Sequence, residues 1–228
     1  NQVLDFHGSP QGADLVIFSD GNHHMALTPV IQAFQKQLPR PVSVFYATTP
    51  PAPLVDLLNG KALQLGNLQI QASPHLFICP PHVLEKLARE KQVDTPRPFV
   101  RNQGNVLLVQ KDNPRQINGI KDLIKDGTTL FLSNPDTETA SFNGYCQTLV
   151  NLTGRADILG EMNVCYGRQI HHREGPEAVA ANKADAALVY YHLGRFFIQL
   201  FPDQFEIVPL GGTADSPDPA PGNIISYT

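Results

Sequence analysis

The sequence predicts an α/β protein of two similar lobes, each a mostly parallel sheet with helices on its faces in three layers, around a ligand cleft. Three observations predict this class. Apolar strand-like runs alternate with helical patterns through roughly the first 90 residues; a stretch rich in proline and arginine, Thr95 to Asn102, interrupts the rhythm; a second set of strand and helix units follows it. Such alternation lays strands side by side and returns the chain over the sheet faces.

The first strand is Leu15 to Phe18, four apolar residues, punctuated by Ser19, Asp20, Gly21 and Asn22. A helical pattern opens at about Met25, with Leu27, Val30, Ile31 and Phe34 at helical spacing and Pro29 expected in the first turn, where its missing N–H costs nothing. Val42 to Ala47 is a second strand, ending in Thr48 and Thr49, and Pro53 to Leu58 begins a second helix. Leu68 to Ala72 is expected as the third strand, before an amphipathic helix over His82 to Lys91. Beyond the interruption, Asn105 to Gln110 and Thr128 to Leu132 read as strands, with a short helix at Ile120 to Lys125 between them. Helices are expected at Ser141 to Leu152 and Glu177 to Lys183, and a strand at Ala184 to Tyr191. In open α/β sheets ligands bind beyond the carboxyl ends of the strands, and here polar clusters stand at those ends.

The composition narrows the function. Seventeen basic and 21 acidic residues are spread along the chain for a net charge of −4, with no basic stripe, so nucleic acid is not an expected partner. No apolar run approaches the roughly 20 residues of a membrane span, and the opening NQVLDFHGSP lacks signal-peptide features, which fits a cytosolic chain or a mature or trimmed form. Cys79, Cys146 and Cys165 show no CxxC spacing; one pair plus a free thiol and three free thiols both stay open.

The segment PRPFVRNQGNVLLVQKDNPRQINGIKDLIKDGTTLFLSNPDTETASFNGY, together with ADAALVYY, resembles type II periplasmic solute-binding proteins, nearest the molybdate- and tungstate-binding proteins of ABC transporters. The likeness lies in an Arg-Asn before a strand, a Lys-x-Asn-Pro turn, a short helix, and a strand ending in an Asn-Pro loop. It implies lobes joined at a hinge, with residues 1–97 and 198–228 in the first and 98–197 in the second. It further implies a monomer outside the cytoplasm, its signal peptide removed, that passes a small inorganic ligand to a membrane ABC permease and needs no cofactor. By position, contacts from the first lobe would come from Ser19 to His23, Thr48 and Thr49, and from the second lobe from Asp136 to Ser141 and Tyr190 or Tyr191. Two departures stand out: Asn22, His23 and His24 replace the usual Ser or Gly, and Asn223 to Thr228 reads as a return strand of the first lobe where the family continues into helices.

Two chemistries compete for this site. An oxyanion such as molybdate or tungstate is held by N–H groups and hydroxyls at helix starts, which Ser19, Asn22, Thr48, Thr49, Thr137 and Ser141 could supply. The same residues are also the ordinary ones of N-caps and turns. A divalent transition metal would instead use His23 or His24 with His171 or His172 and Glu138 or Glu174. The competing reading of His171 to Glu174 is a polar surface loop. No HExxH, GxSxG or Ser/His/Asp pattern marks an enzyme.

Overall fold

The computed structural model describes residues 5–168, 170–226 and 228. The chain forms two compact units, one holding residues up to Val100 and Thr228, the other Arg101–Ser226.

In the first unit, strands β1 (Phe6–His7), β2 (Leu15–Ser19), β3 (Val44–Thr48) and β6 (Leu76–Ile78) form one sheet in the order β1-β3-β2-β6, with β2, β3 and β6 parallel and β1 antiparallel. Alternation along the strands sorts the core into two faces. Phe18, Phe45 and Ala47 pack with Leu54 and Leu57 of helix α2 (Pro51–Leu58). Ile17 and Tyr46 pack with Leu27 and Ile31 of helix α1 (His24–Gln37). Helix α3 (Pro81–Arg89) follows β6 and buries Leu84 and Leu87.

Three expectations need correction here. Leu68 to Ala72 is not the third sheet strand: β4 (Leu63–Leu65) and β5 (Leu68–Ile70) pair with each other as a hairpin around Gly66-Asn67. Gly66 takes a positive φ of 60°, a turn signal that outweighed the apolar run. The parallel neighbour of β2 is β6 instead. Pro29 lies in the second turn of α1, because the helix starts at His24 after a 3-10 turn over Gly21–His23. Of the predicted apolar face only Leu27 and Ile31 are buried, while Val30 and Phe34 are 53% and 42% exposed.

In the second unit, β7 (Asn105–Gln110), β8 (Thr129–Leu132), β9 (Asn163–Tyr166), β10 (Ala186–Tyr190) and β11 (Phe205–Pro209) form a sheet ordered β11-β7-β10-β8-β9. β8, β9 and β10 are parallel; β7 runs against both β10 and β11. Leu107, Val109, Leu130, Leu132 and Leu188 meet Tyr145 and Leu149 of helix α4 (Thr139–Thr153). The opposite face carries helix α5 (His171–Ala180) and helix α6 (Tyr191–Leu200), packed so closely that a Cβ on Gly175 would stand 3.3 Å from Ala187 and one on Gly194 3.1 Å from Ile207. Each unit is therefore a sheet between helical layers.

Two more readings change. His171 to Glu174 is not a surface loop but the first turn of α5, with His171 only 2% exposed. Residues 198–226 do not return to the first lobe as expected from the resemblance. β11 pairs with β7 along its whole length, and Asn223 is fastened to β7. Asn223 Oδ1 accepts from Asn105 N at 2.8 Å, and Asn223 Nδ2 donates to the carbonyls of Asn105 and Leu210. Of the expected return strand, Tyr227 lies outside the described residues, and Thr228 pairs with Phe99 and Val100.

Candidate functional site

Parallel strands deliver their C-terminal ends to one edge of a sheet, and both polar clusters sit at such an edge. In the first unit Ser19 and Thr48 end β2 and β3 and are register partners, which brings Ser19, Thr48 and Thr49 together, all buried. Asp20 then caps the turn: its Oδ1 accepts the N–H of Asn22 at 3.0 Å and stands 3.0 Å from His23 Nδ1. Asp20 Oδ2 is buried with no hydrogen-bond partner among the described residues.

Several candidate side chains are already engaged. The Thr48 hydroxyl donates to Asp5. His23 has Ser19 Oγ 3.2 Å from Nδ1 and Thr228 Oγ1 3.0 Å from Nε2, so both its ring nitrogens have partners. His24 Nδ1 lies 3.0 Å from the Gly21 carbonyl. An own-chain carboxylate thus occupies part of the positive end of the β2–α1 turn that the sequence offered to an anion.

In the second unit the ends of β8, β9 and β10 bring together Asn134 to Ser141, Gly167 and Arg168, Ile170 to Glu174, and Tyr190. Asn134 Oδ1 accepts from the N–H groups of Asp136 and Thr137, an Asx turn that aims the chain into α4. Asn134 Nδ2 ties the turn to Gly167 O at 3.0 Å, and Thr137 Oγ1 donates to Arg168 O at 3.2 Å.

Glu138 is the N-cap residue of α4, yet its side chain makes no cap there. Its Oε2 instead accepts the N–H of His171, the first residue of α5, at 2.9 Å. The α4 start, Thr139 to Ser141, therefore lacks the side-chain acceptor that usually meets the first N–H groups of a helix. Glu174 Oε2 accepts the N–H of Arg168 at 2.6 Å, so close to the backbone that a Cβ on Gly167 would stand 2.7 Å from it. Burial pushes the Glu138 carboxyl up to about 7; the Glu174 charge adds to this, and the hydrogen bond from His171 works against it.

His171 is a core residue. Its Nε2 donates to the Leu188 carbonyl at 2.6 Å, its ring stacks on Phe131, and burial lowers its pKa to about 4, keeping it neutral. Tyr190 rests on Tyr145 with ring centroids 5.3 Å apart, and on His192. Tyr191 turns the other way and donates to Ala214 O. Among the described residues no three His, Cys, Asp or Glu side chains gather as a metal group. His171 is buried in the core, and its Nδ1, which has no hydrogen-bond partner among the described residues, joins no such group.

Asp20 and Asn134 lie within turns that the sequence named but were given no role of their own there, and Tyr145 was passed over. Asp20 and Asn134 could have been found from Asp-Gly-Asn and Asn-Pro-Asp as Asx-turn signatures. Tyr145 gives no local signal, since only the fold brings it to Tyr190. Three cysteines are free thiols, with Cys79 buried.

Comparison with known proteins places this architecture. Among solved structures, the chain is similar to a Clostridium difficile substrate binding domain assigned to a molybdenum ABC transporter, at 16% identity and a TM-score of 0.65, covering 93% of this chain and 81% of that one. It is also similar to PEB3 of Campylobacter jejuni with L-phospholactate bound, at 16% identity and a TM-score of 0.62, covering 94% and 84%. A third is the periplasmic molybdate-binding protein of Azotobacter vinelandii, at 16% identity and a TM-score of 0.50, covering 79% and 72%. No curated protein matches the chain. The family model described as bacterial extracellular solute-binding protein matches residues 15–228, and the chain belongs to that family.

Proposed function

We propose that this solute-binding protein captures a small tetrahedral oxyanion and presents it to an ABC permease outside the cytoplasmic membrane. The observation that carries the reading is the start of α4. A 15-residue helix begins beside the C-terminal ends of parallel strands with no side-chain cap, next to Thr137 and Ser141. Unpaired N–H groups and the helix dipole make such a start a site for negative charge. Molybdate in the Azotobacter protein and the phosphoryl group of L-phospholactate in PEB3 share this tetrahedral oxo chemistry, which supports the class without choosing the ion.

In this reading Thr137, Ser141 and Tyr190 supply the side-chain contacts of the second unit. Glu138 stands beside this start with its carboxylate on the N–H of His171. A divalent metal has weaker support, because His23 is engaged on both ring nitrogens and His171 is buried on Leu188. Catalysis is not part of the reading, which rests on membership in a binding family.

The test is a thermal-shift and calorimetric series with molybdate, tungstate, phosphate, sulfate, zinc and nickel. At least one oxyanion is expected to stabilise the protein, and Ser141→Ala to weaken that binding by about tenfold, the scale of one charge-assisted hydrogen bond. Stabilisation by zinc alone, abolished in His23→Ala, would overturn the proposal.

A further inference from the structure

The sheets of the two units share a strand order up to one place. In the second unit β8, the first of the parallel strands, lies between β9 and β10, and the antiparallel β7 covers the outer edge of β10. In the first unit β2 likewise lies between β3 and β6, all parallel, but β6 ends the sheet. β6 is thus the counterpart of β10, and among the described residues no strand takes the place of β7. Burial follows this difference. β10 is buried from Ala186 to Val189, whereas Leu76 of β6 is 53% exposed and Phe77 and Ile78 are only partly buried.

A cavity of about 910 Å³ lies against this open edge. It is lined by all three residues of β6, by Leu84 and Ala88 of α3 and by residues 91–99, all within the first unit. Phe99 in its wall is 54% exposed. The Ile78 carbonyl faces the β2 side, where it accepts the N–H of Asp20 at 3.0 Å. Backbone groups alternate in direction along a strand, which turns the N–H and carbonyl of Phe77 toward the cavity.

An open strand edge flanked by apolar side chains is a template for one more strand. β7 states what fits such a place: NVLLVQ, a near-continuous apolar run whose first five residues are buried. A strand of that kind would draw Phe77 into a ladder and cover Leu76 and Phe99. A second copy is a poorer occupant, because β6 is only three residues long and offers it a very short ladder. Among the charged side chains of the cavity, Lys91 and Arg97 outnumber Asp94, so an acidic residue beside the apolar run complements it.

We infer that the β6 edge is a docking site for an extended polypeptide segment, apolar along its length with an acidic residue beside it, which adds as an antiparallel strand in the place β7 holds in the second unit.

The probe is a labelled peptide with the sequence of residues 104–111 of this chain carrying Lys111→Glu, added to the whole protein and followed by fluorescence anisotropy and hydrogen–deuterium exchange. Saturable binding is expected, with exchange slowed at β6 and at residues 95–99. Leu107→Pro in the peptide removes a ladder donor and is expected to weaken binding at least about tenfold. Leu76→Glu in the protein, at an exposed position, is expected to weaken binding by a similar factor and to leave the thermal shift with oxyanions unchanged. Absence of binding, equal binding of the proline peptide, or slowed exchange in the second unit alone overturns the inference. So does slowed exchange at β6 that grows with protein concentration and needs no peptide, which assigns the edge to a second copy.

Discussion

Glu138 and His171 are joined by one backbone hydrogen bond and respond to pH in opposite directions. The Glu138 carboxyl titrates at about 7 in the native state against an ordinary 4.5, so the folded protein holds that proton more tightly than the unfolded chain. Its contribution is fully present below about 4.5 and is lost as pH rises through 7. The His171 imidazole titrates at about 4 against 6.5, so its contribution is present above 6.5 and is lost as pH falls toward 4. Between about 4.5 and 6.5 the two slopes oppose each other. Denaturation midpoints of wild-type protein are therefore expected to change little there. Glu138→Gln is expected to lose about 1–3 kcal/mol on acidification from pH 7 to pH 4.5, while His171→Gln gains stability, by less than the full shift because Glu138 is partly solvated. A wild-type profile as steep as that of Glu138→Gln would show that the carboxyl is not raised. The histidine pair also shows where residue-level reading stops. His171 and His172 look alike as text, yet the first ring lies against Phe131 and Tyr145 and donates to Leu188.

At the scale of elements, the segment after β11 is held to β7 by side chains and not by a strand ladder. Asn223 makes three hydrogen bonds to β7 and the end of β11, and Thr148 Oγ1 receives both Asn105 Nδ2 and the N–H of Ile224. Asn223→Ala removes one acceptor and two donations from buried backbone groups, and is expected to cost about 2–4 kcal/mol in a urea titration. A loss below about 1 kcal/mol would mean that β11 pairing alone positions the segment. A second element rests on a single backbone angle. Helix α4 ends at Gly154 with φ 70° and ψ 15°, where its N–H reaches the carbonyl of Val150. Gly154→Ala has open space for a Cβ but the wrong conformation, so about 1 kcal/mol of destabilisation is expected from strain alone. Strands β7, β8 and β10 and helix α4 were legible from their apolar runs and periodicity. The hairpin β4–β5 was not, because Leu68 to Ala72 carries the same apolar signal whichever partner it takes. Only the Gly66-Asn67 turn chooses the partner.

For the molecule as a whole, solute binding adds to the stability of the native state by mass action. At a ligand concentration of 100 times Kd the gain is about 2.7 kcal/mol, which for a chain of this size raises Tm by about 5–10 °C. A saturating oxyanion that leaves Tm unchanged would remove the proposed function at this scale. The two units and the mixed α/β class were legible from the repeated strand and helix units and the Thr95–Asn102 interruption. Local pattern states what each segment can bury, and it did so for the apolar strands, the helix starts and the hydroxyls at strand ends. It could not state which strand lies beside which. The assignment of 198–228 to the first unit failed for that reason, since the β11–β7 pairing joins residues almost 100 positions apart, and no local signal encodes it. The site divides the same way. Sequence alone determined that polar, anion-compatible turns follow the strands. Only the tertiary structure decided which turns are open, because Asp20 already caps the first while Glu138 leaves α4 uncapped and fastens to α5, and the direction of a carboxylate is set by the helix that packing brings near it.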